Sequence, residues 1–272
     1  MTSFIYLNSF FKKLFKYVLN YINYMTTEYI QEVLINWGVL GLSVASYDGL
    51  YKLTYALFNK ISTKFSNLDN LKKQYIVTNI NKSALLSIIS VLFMAIIYKN
   101  PSHINPLHIV STKERLVWKN VTALYASTDI VGLIRNKRMA LSTKIHHYGV
   151  VLAFIIISVS KFNPGSLSKA LVLYGSLSSL AFCVNLYLGA RFFFNKDSKH
   201  ILRLKKLAKY SYMAACILNW TWQSSYIKNT YLTQESLQTI NRFQILKFVI
   251  NSGLLYAWIS DDIKLITHLS KD

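Results

Sequence analysis

The chain has 272 residues, 53% of them hydrophobic, and a net charge of +20 from 31 Lys and Arg against 11 Asp and Glu. Charged residues make up only 15%, below the roughly 25% of soluble domains, and the mean hydropathy is +0.28. A nucleic-acid binder of this charge would be polar throughout, whereas here the apolar residues come in long blocks with lysines between them, the layout of a multi-span membrane protein with basic loops.

The first 25 residues do not read as a signal peptide, because Lys12, Lys13 and Lys16 interrupt the apolar middle that such a peptide needs. Phe4, Phe11, Leu14, Phe15, Val18 and Ile22 fall at helical spacing. The segment 1–32 is expected to be an amphipathic helix lying in the headgroup region.

Candidate spans of about 20 residues follow: 33–58, 80–98, 116–134, 148–159 with its flanks, 170–194, 208–227 and 243–259. Asp48 and Lys52 weaken the first, and Asp129 the third, so six or seven spans are expected. The fold class is all-α, a polytopic transmembrane helix bundle with an N-terminal amphipathic helix. Its parts are 1–32, a first span and loop at 33–70, a membrane domain at 71–260 and a tail at 261–272. Trp37, Trp118, Trp220, Trp222 and Trp258 bracket these runs as interfacial residues do. "NPSHINP" (100–106) and "FNPG" (162–165) are turn chemistry.

With seven spans, one side gathers Lys60, Lys64, Lys72 and Lys73, then Arg135 to Lys144, then Arg191 to Lys206, and the tail. That side is richer in Lys and Arg than the other and is placed in the cytosol. The same loops attract anionic headgroups, and nucleic acid is not expected as a partner.

Two adjacent histidines, His146 and His147, stand where the fourth span begins. Neighbouring helix positions differ by about 100 degrees, so the two cannot face one point unless the helix starts between them; one facing the bundle and the other the interface is an arrangement this allows. A pair of amphipathic side chains at a membrane boundary is the plain explanation. A polar site is the other, since ionisable groups at membrane depth are costly. Asp129 is the one acid between Glu114 and Asp197. An antiparallel hairpin of the third and fourth spans carries it toward His146 or His147; the competing arrangement pairs it with a loop arginine such as Arg135. In the fifth span Gly175, Ser176, Ser178, Ser179 and Ala181 form a small-residue surface, and Asn185 is an amide that needs partners. Cys183 and Cys216 have neither metal-ligand spacing nor a disulfide pattern. No G-x-S-x-G, H-E-x-x-H or P-loop occurs, and no cofactor or metal is expected.

"YASTD" (125–129), "RNKR" (135–138) and "IHH" (145–147), in this order, resemble the central pattern of the TLC-domain family. The resemblance covers roughly residues 71–259 and includes "SLSSLAFCVNLYLGAR" (176–191) in the next span. It implies a multi-pass membrane protein of the endoplasmic reticulum, with Tyr125, Asp129, His146, His147 and Asn185 as a polar intramembrane site. It also implies membrane lipids as partners, and a homo-oligomer is compatible with it. The family's ceramide synthase branch carries a His-Asp and a further Asp after the pair. Between His147 and Asp197 this chain has neither acid nor histidine. A His/Asp acid-base site would lack half its groups. Lipid binding or regulation without catalysis is therefore expected; the alternatives are N-acylation of a sphingoid base and a small transporter with Asp129 and the histidines as proton relay.

Overall fold

The computed structural model describes residues 27–105, 107–136, 139, 141–163, 165–194, 198–232 and 242–270. Among these residues the secondary structure is helical throughout: α1 (Thr27–Ile61), α2 (Thr63–Ser66), α3 (Asn70–Lys99), a 3-10 turn (Pro101–Ile104), α4 (Thr112–Arg135), α5 (Leu141–Ser158), α6 (Leu167–Ser179), α7 (Phe182–Ala190), α8 (Lys199–Tyr231) and α9 (Arg242–Ser270). The expected amphipathic helix lies outside the described residues up to position 26. The rest of that segment belongs to α1.

Helix starts follow local chemistry. Asp69 caps α3 by accepting the backbone N–H groups of Leu71 and Lys72 at 3.1 and 2.9 Å. A capping box opens α4: Ser111 Oγ accepts from the Glu114 amide, and Glu114 Oε2 accepts from the Ser111 amide at 2.8 Å. That amide holds the Glu114 carboxyl below its ordinary range.

Each predicted span but 170–194, which divides between α6 and α7, falls on one helix, and among the described residues only α1 and α3 are long and apolar enough to cross a membrane by length and composition. The α6–α7 pair, bent by 45°, makes a third if it counts as one span. The six or seven spans expected from sequence thus reduce to two or three by that measure. Helices α4, α8 and α9 have the length but are less apolar, and α5 is apolar but short.

The long run predicted at 170–194 is broken. Ser179 Oγ donates to the Ser176 carbonyl at 2.6 Å, Ser90 Oγ donates to Ser179 Oγ at 3.1 Å, and Asn219 Nδ2 donates to Ser178 Oγ at 3.1 Å. A serine hydroxyl that bonds back to the preceding turn bends a helix, as Ser179 does here, and Ser90 of α3 and Asn219 of α8 hold the bend from outside. Two further boundaries move. The histidine pair lies inside α5 rather than at its start, and α9 runs to Ser270, through most of the expected tail.

Ion pairs reveal the directions of the helices. Glu32 of α1 meets Arg115 of α4, and Asp48 of α1 meets Arg135 of α4, so these two helices run parallel. Tyr231 near the end of α8 accepts from Asn251 near the start of α9, while Leu269 packs with Ala208, so α8 and α9 run antiparallel. The largest apolar core joins α3, α4, α5, α6 and α8 through Phe93, Trp118, Ile157, Leu173, Trp222 and Tyr226. Trp118 and Trp222 are therefore core residues rather than members of an interfacial belt. Where α7 crosses α3, Gly189 is required: a Cβ there would meet the Ile80 side chain at 2.8 Å and the Ile76 carbonyl at 3.2 Å.

Candidate functional site

Helix α4 places Asp129 in the interior, fully buried. Its Oδ1 accepts from Lys82 Nζ of α3 at 2.5 Å and from His147 Nδ1 of α5. Three helices thus meet at one carboxylate oxygen. Among the described residues no group donates to its Oδ2, although that atom is buried.

The sequence expectation left the histidine open, and the fold selects His147, which is buried; His146 is exposed, its ring edge-on to that of His147 with centroids 5.7 Å apart. The 100-degree step between neighbours accounts for the split. The competing arrangement does not form: Arg135 makes a bidentate pair with Asp48 of α1, at 2.6 and 2.7 Å. Tyr125, one turn before Asp129, sets its ring 5.8 Å from the Lys82 ammonium. Asn185 is half-buried on α7 and donates no hydrogen bond to Asp129 among the described residues.

Lys82 was missed by sequence reasoning. It sits in "NINKSALL", where a lone lysine at the edge of an apolar run reads as the end of a span. The signal is its spacing: Thr78, Asn81 and Lys82 fall at i, i+3 and i+4, and so share one face of α3. All three are buried, and Thr78 Oγ1 and Asn81 Nδ2 have no hydrogen-bond partner among the described residues. Tyr47 Oη of α1 donates to the Thr78 carbonyl at 3.4 Å, and Thr54 Oγ1 donates to Asn81 Oδ1 at 3.0 Å. The site is therefore a patch of polar groups on α3, α4 and α5, backed by α1, in which three buried atoms still have bonding capacity. Chemically it can hold a positive or hydrogen-donating group at Asp129 Oδ2 and an accepting group at Asn81.

Two other polar clusters are closed. Glu32 of α1 accepts from Arg115 at 2.8 to 3.1 Å and pairs with the fully buried Lys119 at 2.9 Å. Asp262 of α9 accepts from Tyr212 Oη at 2.6 Å and Trp220 Nε1 at 2.9 Å, so both its oxygens are used.

No protein-family model matches this chain, and comparisons with curated proteins and with solved structures return no match either.

Proposed function

We propose that this chain is a multi-span membrane protein of TLC-domain type that binds a membrane lipid through the Asp129–His147–Lys82 centre. The lipid class is one whose headgroup donates an O–H or N–H, the complement of Asp129 Oδ2. The observation that carries the reading is that buried oxygen, which receives no donor among the described residues although its twin accepts two. Buried polar atoms rarely go unpaired, and a lone one in an apolar bundle is a ligand's natural partner.

The surface supports the same setting. Leu34 (64% exposed), Leu42 (72%) and Leu53 (66%) on α1 and Val91 (70%) on α3 lie outside. Apolar faces of this size are stable against acyl chains rather than water. In this reading α6 and α7 form one bent span. The connections bearing Lys60 to Lys73, Arg135 and Arg191 face the cytosol, and the endoplasmic reticulum is the compartment that the family resemblance implies. Catalysis is not part of the reading, since the stretch after the histidine pair supplies no acid before Asp197.

The test is purification in a mild detergent after carbonate extraction, followed by native mass spectrometry and lipid analysis. The protein should stay in the membrane pellet and carry a lipid of one headgroup class, retained by H146A and lost by D129N. Recovery in the carbonate supernatant, or equal lipid on wild type and a folded D129N, would overturn the proposal.

A further inference from the structure

The connection between α3 and α4 reads in sequence as turn chemistry, with no metal expected. The fold brings three of its side chains together. His103 lies on the 3-10 turn, His108 four intervening residues later, and Glu114 in the first turn of α4. One ligating atom from each falls within 4.8 Å of the other two.

We propose that His103, His108 and Glu114 form a zinc site that ties the α3–α4 connection to the first turn of α4. Two imidazoles and one carboxylate are a recurrent zinc donor set that leaves a fourth position for water, and the His pair has the H-x3–5-H spacing of zinc loops. Ligand atoms around tetrahedral Zn²⁺, with bonds of about 2.0–2.1 Å, lie roughly 3.3 Å apart. His103 Nε2 and Glu114 Oε1 are already 3.2 Å apart, so only His108 has to move inward.

A simple ion pair between His103 and Glu114 explains less. His103 is only 4% exposed, and it turns Nε2 rather than Nδ1 toward Glu114 Oε1, at 3.2 Å. The two carboxylate oxygens of Glu114 are divided: Oε2 is committed to the Ser111 amide in the capping box, and Oε1 is turned toward His103, with Asn100 Nδ2 at 3.5 Å. Ser102 Oγ lies 3.3 Å from His108 Nε2, the outer-shell partner that a ligating imidazole ordinarily has.

The loop that carries the histidines is also braced from outside. Lys169 of α6 donates to the carbonyls of Asn105 and His108 at 2.5 and 3.0 Å, and Trp222 of α8 donates to the Ile104 carbonyl at 2.6 Å. Ligands held on a fixed loop lose little freedom on binding a metal. Lys169 opposes a cation here, but its ammonium is engaged by those two carbonyls. Arg115, next to Glu114, is turned away to Glu32.

The experiment uses the untagged full-length protein in detergent, stripped with a chelator and titrated with Co²⁺ and then Zn²⁺. One Co²⁺ per chain should give the intense visible absorption of a four- or five-coordinate ion, and Zn²⁺ should displace it one for one. His108→Ala and Glu114→Gln should each weaken Zn²⁺ binding by about 10–100-fold or more, the range seen even for outer-shell losses. Glu114→Gln keeps a capping oxygen for the Ser111 amide, so it separates lost ligation from lost folding. In chelator its melting temperature should fall by no more than a few degrees, the loss of a charged cap, and only the wild type should gain stability when Zn²⁺ is added. Absence of a stoichiometric site, or Zn²⁺ affinity unchanged in both variants, would overturn the proposal.

Discussion

Helix α4 contributes to two buried carboxylate clusters that differ in one respect. At its N-terminal end, Glu32 of α1 lies between Arg115 and Lys119, and both of its oxygens accept. Toward its C-terminal end, Asp129 receives, among the described residues, both of its donors on one oxygen and none on the other. A saturated network fixes geometry, because every partner would be left charged and dry if one were removed. A half-used carboxylate keeps bonding capacity, and that capacity is what a ligand can use. Burial alone does not separate structure from function here, since Glu32 and Asp129 are both buried. The count of satisfied lone pairs does.

The comparison breaks most visibly through stability. Glu32→Ala strands a fully buried Lys119 and a largely buried Arg115, and should cost about 3–5 kcal/mol. Asp129→Asn keeps an oxygen for His147 and leaves Lys82, whose side chain is still 11% exposed, so its cost should be about 1–3 kcal/mol. Thermal unfolding of both variants in the same detergent reads the difference. Equal losses would mean that Asp129 is as structural as Glu32.

A smaller effect sharpens the boundary of the site. Arg135 and Asp48 pair with side chains 33% and 24% exposed. Arg135→Ala should therefore cost about 1 kcal/mol or less. Combined with Asp129→Asn, the losses should add to within about 0.5 kcal/mol, because the two residues share no partner. A larger coupling would show that Arg135, at the end of α4, serves Asp129 after all.

Much of this was legible from sequence because periodicity reports helices well. All seven apolar runs lie on helices, and the all-α architecture follows from them. The Asp129 and histidine positions were legible because an acid within an apolar run is rare. Other parts were hidden for physical reasons. Lys119 sits within the third predicted run, and only the neighbouring α1 reveals why it is there: Glu32, which the sequence placed in an interfacial helix, reaches across to it. Asp262 read as part of a polar tail because its donors, Tyr212 and Trp220, lie on another helix. The bend after Ser179 depends on Ser90 and Asn219, which no local pattern announces. The histidines of the α3–α4 connection looked like turn residues because Glu114 already had a local role as a capping residue. Long-range partners, rather than local preferences, carry the information that sequence patterns lack.

The smallest effect concerns a third carboxylate, Asp69, which is exposed and has no buried partner. It caps α3, and the Lys72 amide, followed by the Lys72 ammonium, holds its pKa below the ordinary 3.8. Asp69→Ala should lower Tm by about 2–4 °C at neutral pH, and Asp69→Asn by less, since Asn also caps. The sign of the pH dependence follows from the depressed folded-state pKa. The charged cap contributes fully above the unfolded value, and its contribution is lost as pH falls through that value toward the lower folded one. The Tm gap between wild type and Asp69→Ala should therefore be constant from neutral pH to about 5 and shrink below about 4. The gap between Asp69→Asn and Asp69→Ala should not depend on pH in that window, because neither variant titrates at this position. A wild-type gap that stays constant or widens in acid would mean that the carboxylate charge does not strengthen the cap. Asp69 would then contribute only a neutral hydrogen bond, and lone-pair satisfaction without charge would describe even the exposed end of the series that runs from Glu32 through Asp129.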